Sequence, residues 1–298
     1  MARATTLQGM ATDIVPALPA STLLVLRDGP QGPEVLMLRR STSASFMSGV
    51  WVFPGGGVDT GDSAPELLAR VVGHDDESAS KALGVELGGR SFFVAAVREV
   101  FEEAGILLAV DDQGRHLGPE AAERLGEHRR ALNAGETSFV EVLETEGLTL
   151  DLSALGHHAH WITPTAEVKR FDTYFFAALA PEAQEAVHDD AETIASGWTT
   201  PAEALERHRA GDIHMVMPTI RNLAFIAAHD TAAEVVAASK ATRNIPTILP
   251  KVIEDEDDHL LIVPGDEGYD EADGLTNHPK AFARGARRRA LKENPPHD

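Results

Sequence analysis

The chain contains no cysteine in 298 residues, which excludes a disulfide scaffold, a thiolate metal site and a cysteine nucleophile, and fits a reducing compartment. Positive charge is scarce: 26 lysines and arginines stand against 47 aspartates and glutamates, giving a formal net charge of -21 and a pI near 4.9. A general nucleic-acid or membrane-surface binder needs a basic field, so neither partner is expected, although a local basic pocket stays open. No run approaches the ~18 apolar residues of a membrane span, and "MARATTLQGMATDIVPALPA" lacks the charged-then-apolar pattern of a leader. A soluble cytoplasmic protein is the expectation. Internal repeats and convincing linkers are also missing. What is present is 43% hydrophobic content, enough for a sizeable core in one large domain or two ordinary ones.

Strand and helix patterns alternate along the chain. "STLLVLR" (21–27) and "EVLMLRR" (34–40) read as β-strands joined by the turn-rich "DGPQGP", and "VWVFPGGG" (50–57) as a third strand broken by proline and three glycines. A polar stretch with a short helix near 64–72 follows, then an apolar helix running into an "ILLAV" strand (106–110). Residues 118–146 read mainly as helical, while "HHAHWIT", "RFDTYFFAAL" and "TIASGWT" read as strands. "TPAEALERHRAG" has the marks of a capped helix, with Thr200 as N-cap, Pro201 in the first turn and Gly211 beyond the end. Helices near 218–229 and 231–241 lead to a late hairpin across "EDEDD", and then to a polar, basic tail. This mixture with hairpins predicts an α+β fold with a mixed sheet sandwiched between helices, rather than a doubly wound parallel sheet.

The stretch "AAVREVFEEAGILLAV" (95–110) raises a physical question. At about 100° per residue, with Glu99 at zero, Glu102 falls near 300° and Glu103 near 40°, so three carboxylates share one helix face. Val97, Val100, Phe101 and Ala104 occupy the opposite one, and Gly105 suits a left-handed C-cap. Like charges at this spacing cost about a few tenths of a kcal/mol, more in dry surroundings, so something positive must offset them.

The run "GGGVDTGD", followed after an interruption by "REVFEEAGI", resembles the signature of the Nudix hydrolases, in which a glycine-rich loop leads into a helix bearing Arg-Glu-U-x-Glu-Glu-x-Gly-U, U being a bulky apolar residue. Arg98, Glu99, Val100, Glu102, Glu103, Gly105 and Ile106 match every specified place of the second half. Two positions depart from the pattern. Asp62 stands where the family has a glutamate six residues after the signature glycine, here Gly56, and 35 residues separate Asp62 from Arg98 where the family has seven, an insertion of 28. The branch similar to the peroxisomal coenzyme A diphosphatases carries a long insertion at this place. It also has segments like "FMSGVWVFPGGGVD" and "WITP…RFDTYFF", here Phe46, Met47, Gly49, Trp161, Thr163, Pro164 and Arg170 to Thr173. The resemblance spans residues 20–265, expected as one domain with an insertion at about 63–90 and helical additions at about 118–146 and 200–242, between a flexible N-terminal segment (1–19) and a tail (266–298).

The resemblance implies a Mg²⁺- or Mn²⁺-dependent diphosphatase acting on a nucleoside diphosphate derivative, with coenzyme A or acyl-coenzyme A as the leading substrate. Glu99, Glu102 and Glu103 are implied as metal ligands, with Glu102 also catalytic and a Gly55 or Gly56 carbonyl joining them; hard oxygen ligands suit such ions. Arg98 reads as a structural partner for an acid in the loop. Glu192 is the candidate general base or extra ligand, with Asp189 and Asp190 competing. Arg39, Arg40 and Arg170, with Gly55 and Gly56, are the candidate substrate contacts, since guanidinium suits phosphate. His158 and His160 should share one strand face, more as structural histidines than as a metal pair. ADP-ribose, dinucleotides or dinucleoside polyphosphates are alternative substrates, and a Nudix-fold regulatory module without turnover is the non-enzymatic alternative. The oligomeric state is open, a homodimer included.

Overall fold

The computed structural model describes residues 14–41, 48–182, 184–187, 193–255, 258–275 and 287–288. Phe46, Met47, the acids Asp189, Asp190 and Glu192, the first thirteen residues and most of the tail lie outside that set. Two compact units emerge, one of residues 19–161 and 173–246 and one of residues 1–18, 162–172 and 247–298.

The larger unit is built on a sheet. Strands β1 (Ala17–Gly29) and β2 (Gly32–Arg40) form an antiparallel hairpin with Leu26 opposite Val35. Its turn closes at Gly32, whose φ of +117° lies where side chains are disfavoured. The proline-broken third strand resolves into β3 (Trp51–Val52), which pairs with β2, and β4 (Gly55–Gly57), which pairs with β1. Beyond the insertion, β7 (Gly156–Ile162) and β8 (Arg170–Leu179) extend the sheet on the other side of β1, and β9 (Thr193–Thr199) runs antiparallel to β2.

Both sheet faces are covered. Leu23, Val25, Leu36 and Leu38 pack with Phe93, Val97, Val100, Phe101 and Ala104 of helix α3 (Gly89–Ala104), the apolar stripe that the periodicity predicts. The alternate side chains Leu24, Leu26, Val35 and Met37 are equally buried. Helices α6 (Pro201–Ala210) and α8 (Ala232–Ala241) lie against β2, and α7 (Met217–Ile226) packs on both. Each fully buried aliphatic side chain contributes about 1.5–3 kcal/mol of hydrophobic driving force, so a sheet apolar on both faces is held from both sides. Thr200 caps α6 by accepting the Glu203 N–H, and Gly211 ends it at φ +83°, as the sequence predicts.

The insertion is folded onto α3. It holds α1 (Pro65–Leu68), a short strand β5 (Val71–Val72) where a continuous helix is expected to residue 72, and α2 (Asp76–Leu83). Asp76 accepts the N–H groups of Gly88 and Arg90, which ties α2 to the first turn of α3. Arg90 in turn donates to the carbonyls of Leu68 and Val71 at 3.0 Å each. Helices α4 (Ala122–Asn133) and α5 (Phe139–Glu146) follow, and β6 (Leu150–Asp151) pairs in parallel with β5. The expected "ILLAV" strand does not form. Ile106 to Ala109 are buried in irregular chain, and only Val110 makes bridges, to His116 and Thr149. An apolar run signals burial, and here burial under the helices suffices without a ladder.

In the smaller unit, β10 (Thr247–Ile248) precedes the expected late hairpin, β11 (Lys251–Asp255) against β12 (Asp258–Ile262), with β13 (Arg287–Arg288) parallel to β12. Ala166 and Val252 centre a small apolar cluster with Leu261 and Leu275.

Candidate active site

The glycine turn and the acidic face of α3 meet. Ser21 and Thr22 of β1 pair with Gly56 and Gly55, and any Cβ at Gly55 would collide with the Ser21 carbonyl. The Gly55 N–H donates to Glu103 Oε2 at 3.0 Å, and a Cβ on Gly56 would sit 2.6 Å from the Glu99 carboxylate oxygens. Close approach of the neighbouring strand's backbone therefore requires glycine at 55, whereas a Cβ at 56 would displace the Glu99 carboxylate.

Arg98 is the positive charge the clustered carboxylates need. Its Nε and Nη2 donate to the two oxygens of Asp62 at 2.8 and 3.0 Å, Nη2 also reaches the Gly57 carbonyl at 2.8 Å, and Nη1 is shared between Glu99 (2.9 Å) and Glu102 (2.8 Å). Asp62 is fully buried and additionally accepts the Asp59 N–H. The shorter acid thus reaches its arginine across the 28-residue insertion, because the 3-10 turn Thr60–Ser63 aims it back toward the helix. Arg98 is the structural partner the sequence predicts, and its contacts explain why: one planar guanidinium joins loop, turn and helix.

Burial sets the electrostatics. It pushes Glu99 up to about 7 and raises Glu102 as well, in both cases against the opposing pull of Arg98. For Arg98, burial alone would weaken the proton, but the Asp62 hydrogen bond and the charges of Glu99, Asp62 and Glu102 outweigh it and hold the guanidinium charged. Among the described residues no three His, Asp or Glu side chains are grouped as a ready metal cage. The donor chemistry nevertheless fits a hard dication: desolvated carboxylates stand beside the glycine turn, with a cation, Arg98, already drawn between them and the Gly57 carbonyl.

The remaining predicted residues are dispersed. Arg39 is exposed at the end of β2 opposite Trp51, and half-buried Arg40 lies opposite Thr193 with its Nε lacking a partner. Arg170 is buried, with Nε on the Thr163 carbonyl and Nη1 on the Val15 carbonyl, at 3.0 and 2.7 Å. Those donors stitch the smaller unit together, so Arg170 is read as structural and not as a phosphate contact. His158 stacks on Phe225 and bonds to Asn222, whereas His160 stacks on Tyr174, a ring that His157 also approaches. The two histidines do not share one environment as strict alternation predicts.

Sequence reasoning missed Arg129 and Gln184. Arg129 of α4 donates to the Glu102 carbonyl, and Gln184 exchanges hydrogen bonds with the backbone of Leu107. Neither lies in a motif, and their partners are backbone atoms remote in sequence.

Comparison with known proteins places the chain. The NUDT19 Nudix domain family model matches residues 73–226. The acyl-coenzyme A diphosphatase NUDT19 of Gallus gallus is 28% identical, the match spanning 85% of this chain and 77% of that protein, and that of Xenopus laevis is 28% identical over 82% and 73%. A Nudix hydrolase of Alicyclobacillus acidocaldarius superposes with a TM-score of 0.60 and 30% identity, covering 75% of this chain and 97% of that one. With a glycine turn docked on Glu99 and Glu103, a buried arginine bridging Glu99 and Glu102 to the loop, and these matches along most of its length, the chain belongs to the NUDT19 Nudix domain family and is a Nudix hydrolase.

Proposed function

We propose that the protein hydrolyses the diphosphate linkage of coenzyme A or acyl-coenzyme A, releasing 3′,5′-ADP and (acyl-)4′-phosphopantetheine. The observation that carries the chemistry is the meeting of Glu99 and Glu103 with Gly56 and Gly55, held by the Arg98–Asp62 pair. The substrate class is supported by the relatives named acyl-coenzyme A diphosphatase.

Nudix hydrolases generally use divalent metal ions, and Mg²⁺ or Mn²⁺ is the proposed ion here. Glu99, Glu102 and Glu103 would hold it, and when bound it would neutralise the diphosphate and acidify a water. The residues of the chain supply the rest. Arg98 opposes the loss of charge that burial favours on Glu99 and Glu102 and aims the two together, the glycines let the diphosphate approach the backbone, and Arg39 and Arg40 are available to phosphate oxygens. Glu102 is the proposed catalytic carboxylate, and Glu192, outside the described residues, the proposed general base.

Among the described residues no helix is long and apolar enough to cross a membrane, and the cytoplasm is the proposed compartment.

The test is to incubate the protein with Mg²⁺ and, separately, coenzyme A, acyl-coenzyme A, ADP-ribose, NADH and diadenosine polyphosphates, and to resolve the products. Preferential appearance of 3′,5′-ADP is expected. Equal or better cleavage of substrates lacking the 3′-phosphate would remove the coenzyme A assignment, and nucleotide binding without cleavage of any substrate would favour a regulatory module.

A further inference from the structure

The carboxyl end of α3 is tied down by groups that the proposed chemistry does not use. A helix ends in carbonyls that lack intrahelical donors. In α3 the Phe101 carbonyl takes the Gly105 N–H at 3.0 Å, whereas those of Glu102 and Ala104 are satisfied from distant chain. The Glu102 carbonyl accepts Arg129 Nε at 2.8 Å and Asn133 Nδ2 at 3.2 Å, and the Ala104 carbonyl accepts the Val187 N–H at 2.9 Å. Arg129 and Asn133 stand one turn apart on α4 and therefore share a face.

Arg129 does more than cap. Its side chain is buried, and its Nη1 donates to the Val187 carbonyl at 2.6 Å, so one guanidinium grips both the end of α3 and the chain at Val187. Gln184 reinforces the same seam through Leu107. Gly105 makes room for it: a Cβ there would lie 3.3 Å from Arg129 Nη1, at a φ of +71° that already favours glycine. A cation at the carbonyl end of a helix also meets the negative pole of its dipole.

We propose that Arg129, helped by Asn133, is a positioning residue for the carboxylates of α3. Through the Glu102 carbonyl it sets the direction in which Glu102 and Glu103 leave the helix. Helix α4 is then a brace for the site. The inference rests on the reading of Glu99, Glu102 and Glu103 as metal ligands.

The test uses the full chain with Arg129→Met, Asn133→Ala, Glu102→Gln and each of the first two combined with the third. Mn²⁺ binding is read by electron paramagnetic resonance of the free ion without substrate, alongside thermal melting, kcat and KM. Arg129→Met is expected to weaken Mn²⁺ binding and lower kcat by ~10–100-fold each, the range for groups that orient metal ligands, with KM changing by less than ~3-fold. Asn133→Ala, at an exposed side chain, should melt as the parent does and move Mn²⁺ affinity the same way by ~2–5-fold, as befits one lost hydrogen bond. In the Glu102→Gln background both effects on Mn²⁺ should largely vanish, since the acid they orient is gone.

Mn²⁺ affinity at the parent value in both single variants, or an equal loss in both backgrounds, overturns the proposal. If Arg129→Met does not fold, Asn133→Ala and its double variant decide. A parent protein that binds Mn²⁺ but cleaves no diphosphate overturns the proposed reaction and leaves the coupling readable, whereas one that binds no Mn²⁺ overturns both.

Discussion

The acidic face of α3 and two histidines of β7, His157 and His158, are ionisable groups taken out of water, and burial moves both toward their neutral forms, but the acids have a fixed opposite charge beside them. On α3, burial pushes Glu99 up to about 7, yet Arg98 lies within 2.9 Å and opposes the loss of charge. On β7, burial pushes His157 and His158 down to about 4, and the partners described around them are backbone carbonyls, an amide, aromatic rings and neighbouring histidines, none of them an acid. Where a fixed opposite charge is within reach, it opposes the loss of charge that desolvation favours. Where none is, the side chain becomes neutral and serves as core.

Removing the compensating charge should break the first region most severely. Arg98→Met leaves fully buried Asp62 unpaired and should cost about 3–5 kcal/mol, read from denaturant unfolding, with turnover lost as well. Unchanged stability would mean that the pair is not a keystone. Glu102→Gln keeps the shape and removes one carboxylate, 26% exposed, so hydrolysis should fall ~10²-fold or more while the melting temperature stays near the parent value. Full activity in that variant would show the proposed site to be misplaced.

Gly56→Ala sharpens the picture from the loop side. Its Cβ would press on the Glu99 carboxylate, and a loss of turnover by roughly tenfold, with a modest drop in melting temperature, is expected, comparable to disturbing a group that orients a ligand. Parent kinetics in this variant would mean that the turn yields freely.

The second region should answer to pH. Because His157 and His158 have folded values near 4 and an ordinary value of 6.5, the unfolded chain binds their protons first. Their neutral packing therefore stabilises fully above about pH 6.5 and is progressively lost as pH falls toward 4, by up to about 1.4 kcal/mol per pH unit for each group. Thermal melts at pH 7 and pH 5 read this slope, and His157→Phe, set among Tyr174 and Phe176, should flatten it. A His157→Phe slope equal to that of the parent would contradict the assignment.

Much of the site is legible from residues alone. Seven matched positions place Arg98 and three glutamates on one helix, and helical periodicity puts the carboxylates opposite the core stripe, as the packing of Val97, Val100 and Phe101 bears out. The capped helix at Thr200 is equally legible, because its cap, first-turn proline and terminal glycine are local signals. The "ILLAV" segment and Arg170 are not. A strand needs a partner edge, and a guanidinium between strand and loop looks the same in sequence whether it awaits phosphate or holds the carbonyls of Thr163 and Val15.

By itself, then, the sequence determined the periodic and the chemical: which face of α3 is acidic, where helices begin and end, and which family the chain joins. Tertiary structure alone decided that Asp62 reaches Arg98 across the insertion, that Glu103 rests on the Gly55 N–H, and that Arg129 grips the end of the same helix. The reason is one of range. Periodicity and caps act over a few residues along the chain, whereas these hydrogen bonds join atoms 27 to 48 residues apart, whose meeting depends on how the whole core closes.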